Sequence, residues 1–155
     1  MDYAVGPAGP DDADAIARIY NQGIVDRLAT LETRPRTADD VRGWFVCRSA
    51  RHPVLVARAP GGEICGWASL NAYNPRECYD GVADVSVYVA REWRGKRAGS
   101  ALVQGLTVLA ALAENEAARH LYSRAGFHNV GTYRRHGMLD GRWVDVRLME
   151  LLLQD

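Results

Sequence analysis

The residues "ADVSVYVAREWRGKRAGSAL", Ala83 to Leu102, decide how this chain is read. From Ala83 to Ala90, apolar residues alternate with small or polar ones, the period of a strand with one covered face. Arg94, Lys96 and Arg97 follow, interleaved with Gly95 and Gly99, and Ala98 then opens a run of small, helix-favouring residues. A strand that passes through a glycine turn into a helix exposes backbone N–H groups at the helix start, where the dipole favours an anion. The turn reads either as a cradle for a phosphate or pyrophosphate or as a solvated basic turn, and on charge alone the second account is the simpler. A nucleotide P-loop needs GxxxxGK[ST] and a dinucleotide loop needs GxGxxG; neither pattern is present.

Upstream, "PVLVARA", the turn "PGG" and "EICGWASLNAY" predict a strand hairpin, followed by a loop around Asn74 to Asp80. Nearer the N-terminus, a short strand around Tyr3 to Val5 precedes "PDDADAIARIYNQGI". There acidic capping residues lead into Ala15, Ile16, Ile19, Tyr20 and Ile24 at helical spacing. The Pro-interrupted "ATLETRPRT" suits a loop. "TADD" then resembles a capping box, with Asp40 in place of the usual Glu, opening a second helix from Ala38 to Ser49.

Downstream, "ENEAARHLYSRAG" predicts a helix closed by Gly126, and "FHNVGTYRRHGM", "LDG" and "RWVDVRLMELLL" predict an antiparallel pair around a turn. The order is mixed α/β. "LTVLAAL", Leu106 to Leu112, fits either a continued helix or a buried strand.

A chain of 155 residues with 48% hydrophobic content supports a single domain, 1–155, with its own core. Nineteen basic and nineteen acidic side chains cancel. The general attraction to nucleic acid that a basic domain has is therefore missing, and any anion site must be local. Cys47, Cys65 and Cys78 are odd in number and lack a CxxC pair, so neither a disulfide framework nor a zinc knuckle is indicated. His52, His120, His128 and His136 show no metal spacing. The acidic, proline-bearing start is unlike a signal peptide, and no apolar run reaches membrane-spanning length, so a soluble cytoplasmic protein is expected, with no membrane or nucleic-acid partner.

The basic turn resembles the acyl-CoA loop of the GNAT superfamily of N-acetyltransferases, [RQ]xxGx[GA], with Arg94 first, Gly99 last and Arg97 where the middle glycine usually stands. If position 97 is left-handed, a side chain there costs about 1–2 kcal/mol; a direct guanidinium contact to a phosphate is the alternative role. "ENEAARHLYSRAGFHNVGTY" resembles the C-terminal signature of the same superfamily. "IYNQGI", "ATLETRPRT", "PRECYDGVADVSVYV" and "GMLDGRWVDV" together resemble its phosphinothricin N-acetyltransferase branch, which also acts on methionine sulfone and sulfoximine.

The resemblance implies a GNAT fold, a mixed, mostly antiparallel sheet flanked by helices, with acetyl-CoA as donor, a small amine as acceptor and a homodimer. It implies that Asp84, where the branch has a glutamate, is the base or holds the ammonium. Tyr122 would be the proton donor near the sulfur. Val87, Tyr88, Val89, the loop Arg94, Gly95, Lys96, Arg97, Ala98, Gly99 and Ser100, and Asn115 would hold the cofactor. Thr33, Arg34, Arg76 and Tyr79 would meet an acceptor bearing a carboxylate and a polar head. Trp143 and Asp145, which share a strand face, would line the acceptor site or the dimer seam.

Related chains carry about a dozen more residues, about three helical turns, between "GSAL" and "NEAARxLY" than the "VQGLTVLAALAE" present here. Either "TVLAAL" is the fifth strand and the preceding helix is cut to about two turns, or it is helix and that strand is missing; the first preserves the family alignment of "AENEAA" and is the reading expected. A peptide N-terminal acetyltransferase and a non-catalytic acyl-CoA-binding module are the competing functions.

Overall fold

The computed structural model describes residues 2–76, 83–106, 110–112 and 116–151. The chain runs β1 (Ala4–Pro7), α1 (Ala13–Asp26), α2 (Ala38–Val46), β2 (Val54–Arg58), β3 (Ile64–Ala72) and β4 (Ala83–Val89). It continues with α3 (Ala98–Gly105), β5 (Ala110–Leu112), α4 (Glu116–Arg124), β6 (His128–Leu139) and β7 (Arg142–Glu150). The strands form two sheets, ordered β1-β2-β3-β4 and β5-β7-β6, and every pairing is antiparallel. The expected sheet is thus divided, with β4 and β5 close to each other but unpaired at its centre.

Helix α1 buries Ile16, Ile19, Tyr20, Gly23 and Ile24, residues three or four apart that form one stripe. The stripe packs with Val41 of α2 and with Val54, Val56, Trp67 and Tyr88 on one face of the first sheet. Each fully buried aliphatic side chain contributes about 1.5–3 kcal/mol. The other face receives Leu102 of α3 and Leu106 at its C-cap, packed with Ala57 and Ala68.

Local signals explain most element boundaries. Thr37 Oγ1 accepts from the Asp40 N–H at 3.1 Å and Asp40 Oδ2 accepts from the Thr37 N–H at 2.8 Å, so the shorter acid completes the capping box. Asp12, at the N-cap of α1, makes no side-chain cap bond to that helix; its carboxylate instead accepts from the Gly9 N–H at 3.1 Å across the preceding turn and pairs with Arg58 at 2.7 Å. Helix α2 stops at Val46, short of the expected Ser49. The Arg48 guanidinium draws the chain out of the helix by donating to the carbonyls of His52 (3.0 Å) and Leu70 (2.5 Å) and to Asn71 Oδ1 (2.7 Å).

The ambiguous run resolves as a strand over Ala110–Leu112, paired with β7, after an eight-residue α3 of about two turns. Gly126 closes α4 in the left-handed region, φ 92°. Among the described residues no helix is long and apolar enough to cross a membrane.

Candidate active site

The register of β4 determines what the site offers. The Ala90 N–H donates to the Cys65 carbonyl at 2.9 Å, so residues of the same parity, Asp84, Ser86 and Tyr88, direct their backbone groups toward β3. Val85, Val87 and Val89 direct theirs toward the open edge facing β5. Of these, the Val89 carbonyl accepts from Arg94 Nε at 3.1 Å. Side chains divide by the same parity. Trp67/Tyr88, Ser69/Ser86 and Asn71/Asp84 are cross-strand rungs on the α1/α2 face, and the first is a stacked pair with centroids 4.8 Å apart. Val85 and Val87 face the opposite side.

Beyond β4 the chain makes one 3-10 turn, Arg91–Trp93, and enters the basic loop. Gly95 (φ 73°) and Arg97 (φ 72°) are both left-handed, and Arg97 sits at the N-cap of α3. Position 97 is therefore left-handed, the conformation in which a side chain costs about 1–2 kcal/mol. Gly99 is needed for a different reason: a Cβ there would lie 3.2 Å from Leu121 and 3.4 Å from Val89, where α3, α4 and β4 converge.

The loop's cations have separate employments. Arg94 pairs with Asp26 at 2.6 Å, and Arg91 pairs with the same carboxylate at 2.5 Å. These guanidiniums, Arg91 foremost, hold the Asp26 carboxyl below its ordinary range. Lys96 lies 5.1 Å from the Trp93 ring centroid, and its carbonyl accepts from the Tyr3 hydroxyl at 2.8 Å. Arg97 is exposed and makes no ion pair with a described residue.

A groove of about 390 Å³ runs along this loop, lined by Val87, Tyr88 and Val89, by Arg94, Gly95, Arg97, Ala98, Gly99 and Ser100, and by Tyr122 from α4. Ten of the proposed donor-side residues thus meet in one place. Tyr122 is 5% exposed and packs on Phe127 and Val85, the face of β4 opposite Asp84. Burial pushes its phenol up to about 12. Asp84 is half-buried, and desolvation pushes its carboxyl above the usual range. Tyr88 contributes its ring rather than its peptide, and its hydroxyl donates to the Ala29 carbonyl at 3.2 Å.

The expected acceptor residues are less concentrated. Thr33, Arg34 and Arg76 are exposed on loops; Tyr79 and Asn115 lie outside the described residues. Trp143 is 57% exposed, opposite Met138 on the β6–β7 hairpin. Asp145 accepts from the Arg135 N–H at 2.8 Å, holding a bulge in which Arg135 is left-handed. The loop after α1 docks on this hairpin. Arg27 pairs with Asp140 at 2.9 Å, and a Cβ on Gly137 would collide with Leu31.

Sequence reasoning missed Asp26, whose link to the loop spans 65 positions to Arg91 and carries no local signal. It also missed His120 and Arg124, which line the groove from α4. Their spacing of four, one helical face, was the available clue. Among the described residues no group of His, Cys, Asp and Glu is placed to hold a metal.

The sequence model of the acetyltransferase (GNAT) domain matches residues 50–129. The chain is 33% identical to an L-methionine sulfoximine/L-methionine sulfone acetyltransferase of Pseudomonas paraeruginosa, over 99% of this chain and 96% of that protein. That alignment spans 165 positions against 155 residues here, so at least ten positions have no counterpart in this chain. It is 30% identical to a phosphinothricin N-acetyltransferase of Streptomyces coelicolor, over 94% of each chain. Among solved structures, yncA of Salmonella typhimurium with its cofactor acetyl-CoA superposes with a TM-score of 0.90 at 26% identity, covering 100% of this chain and 96% of that one. With the divided sheet, the left-handed loop and the groove beside it, these likenesses establish that the chain belongs to the GNAT acetyltransferase family.

Proposed function

We propose that the protein transfers an acetyl group from acetyl-CoA to the amine of a small, amino-acid-like acceptor of the phosphinothricin or methionine sulfone type, by direct attack in a ternary complex. The observation that carries this reading is the juxtaposition at β4. Asp84 stands on one face, Tyr122 packs behind the other, and the unpaired Val87 peptide lies at the edge between them. The acceptor class rests on the two relatives' specificities.

The open edge and the groove fit acetyl-CoA. Val87 and Val89 offer backbone groups to an extended amide chain, and the loop from Gly95 to Ser100 offers N–H groups to a pyrophosphate. When bound, acetyl-CoA supplies an activated acyl group. Asp84, one methylene shorter than glutamate, takes the ammonium proton directly or through one water. Desolvation raises its pKa, which strengthens it as a base. The outward N–H groups of Val87 and Val89 meet negative charge developing on the acetyl oxygen. Tyr122 donates to the departing sulfur. Asn115 supports the cofactor, and Thr33, Arg34, Arg76 and Tyr79 receive the acceptor's polar groups.

The assembly we propose is a homodimer built on the β6–β7 hairpin, where Met138 and Trp143 form an exposed apolar rung on a sheet whose edge strand is β6. The cytoplasm suits Cys47, an exposed free thiol. The function is tested by thiol release from acetyl-CoA with phosphinothricin, methionine sulfone and N-terminal peptides. Turnover on the first two supports the reading. Turnover on peptides alone would make this a protein acetyltransferase, and acetyl-CoA binding without turnover on any amine would make it a sensor.

A further inference from the structure

A second groove, of about 410 Å³, adjoins the first and shares Arg97, Ser100, Leu121 and Arg124 with it. The two grooves therefore meet at a seam between the start of α3 and the end of α4. Arg97 and Arg124 are the cations of that seam. Both are exposed, and neither is in an ion pair with a described residue, whereas Arg91 and Arg94 are committed to Asp26. In a chain with no net charge, two guanidiniums at one seam that pair with no carboxylate among the described residues make a local positive site. Arg97 holds its place there in a backbone conformation that glycine adopts without strain. Among the described residues, the acid lining the second groove is Asp2.

CoA carries two kinds of anion, a pyrophosphate diester and a terminal 3′-phosphomonoester. The monoester bears about −1.5 to −2 charge and three acceptor oxygens, the group best matched to paired guanidinium forks. The loop's N–H groups suffice for the diester. We infer that Arg97 and Arg124 clamp the 3′-phosphate of CoA where the ligand passes from the first groove into the second, so that this chain discriminates CoA from 3′-dephospho-CoA. The inference rests on the acetyl-CoA reading above and deepens it by naming the specificity element. It also accounts for Arg97: the loop gives up a relaxed backbone and gains a contact to the charged end of the ligand.

The test is calorimetric titration of CoA and 3′-dephospho-CoA into the wild-type protein and into Arg97→Gln, Arg97→Gly and Arg124→Gln. Wild type should prefer CoA by roughly tenfold or more, the scale of one charge-assisted hydrogen bond. Each variant should weaken CoA more than it weakens dephospho-CoA, so that the preference falls toward unity. Arg97→Gly should in addition melt higher than wild type, since its backbone strain is relieved. Equal affinity of wild type for the two ligands would overturn the clamp, as would variants that weaken both ligands alike, because the cations would then serve the pyrophosphate. If wild type bound neither ligand, the acetyl-CoA reading itself would fail, a result distinct from loss of the preference alone.

Discussion

Tyr122 separates two ways of assisting a departing thiolate. Its phenol is buried and pushed up to about 12, while an ordinary thiol ionises near 8.5. Moving the phenolic proton fully onto the sulfur is therefore uphill by about 5 kcal/mol, at about 1.4 kcal/mol for each pKa unit. Hydrogen-bond donation has no such barrier and is worth about 1.5–3 kcal/mol to a charged acceptor. Tyr122→Phe should then lower kcat roughly 10- to 150-fold. The affinity for acetyl-CoA should hold, because the ring stays packed on Phe127 and Val85. Thiol release measured with a chromogenic disulfide, with both substrates saturating, reads kcat directly, and a melting curve checks the fold. A variant with kcat within twofold of wild type would remove Tyr122 from the reaction. A loss approaching 10⁴-fold, the upper range for general acid catalysis, would replace hydrogen bonding with proton transfer.

Asp84→Asn should abolish most turnover at nearly unchanged acetyl-CoA affinity, and it should also melt higher at pH 7. The folded carboxyl ionises above its unfolded value of 3.8, so wild type bears a desolvation penalty that is absent below about pH 4 and grows as pH rises through the folded pKa. Melting curves of both proteins from pH 4 to 8 should diverge accordingly. Gly66→Ala would place a Cβ 2.7 Å from the Tyr88 carbonyl oxygen and 3.1 Å from Leu102. Overpacking of this kind costs about 1–3 kcal/mol, or about 2–4 °C of Tm for each kcal/mol, and should be visible by calorimetry. Asp26→Asn should free Arg91 and Arg94 and weaken acetyl-CoA binding at neutral pH. The Asp26 carboxyl is held below 3.8, so its clamp is complete above that value and is lost as pH falls through the folded pKa. The affinity advantage of wild type over the Asn variant should therefore shrink in acid, the two proteins converging as the Asp26 carboxyl is protonated.

Short-range chemistry is legible in the sequence. Thr37 and Asp40 announced a helix start three residues apart, Gly126 marked a helix end, and the two-residue turn Asp140-Gly141 joins the strands expected around it. The turn from strand to helix was legible from Arg94 to Gly99, and Ala110–Leu112 proved to be the strand that the family pattern favoured. What sequence could not convey depends on register. Asn71 lies opposite Asp84, and Val87 faces the open edge, only because of how β3 and β4 align. That alignment is a property of two segments at once. Long-range ion pairs are hidden for the same reason. Arg94 in isolation reads as a phosphate ligand, and only the return of α1 brings Asp26 to claim it. Arg48 reads as the last turn of a helix until Leu70 and Asn71 arrive to accept its hydrogen bonds and end that helix early.

Direct transfer between two bound substrates is the central claim, and initial rates with acetyl-CoA and methionine sulfone both varied test it most directly. Intersecting double-reciprocal lines are predicted, since Asp84 and the open edge of β4 act on one ternary complex. Parallel lines, the signature of an acyl-enzyme, would contradict the account and move the chemistry to a nucleophile on the protein.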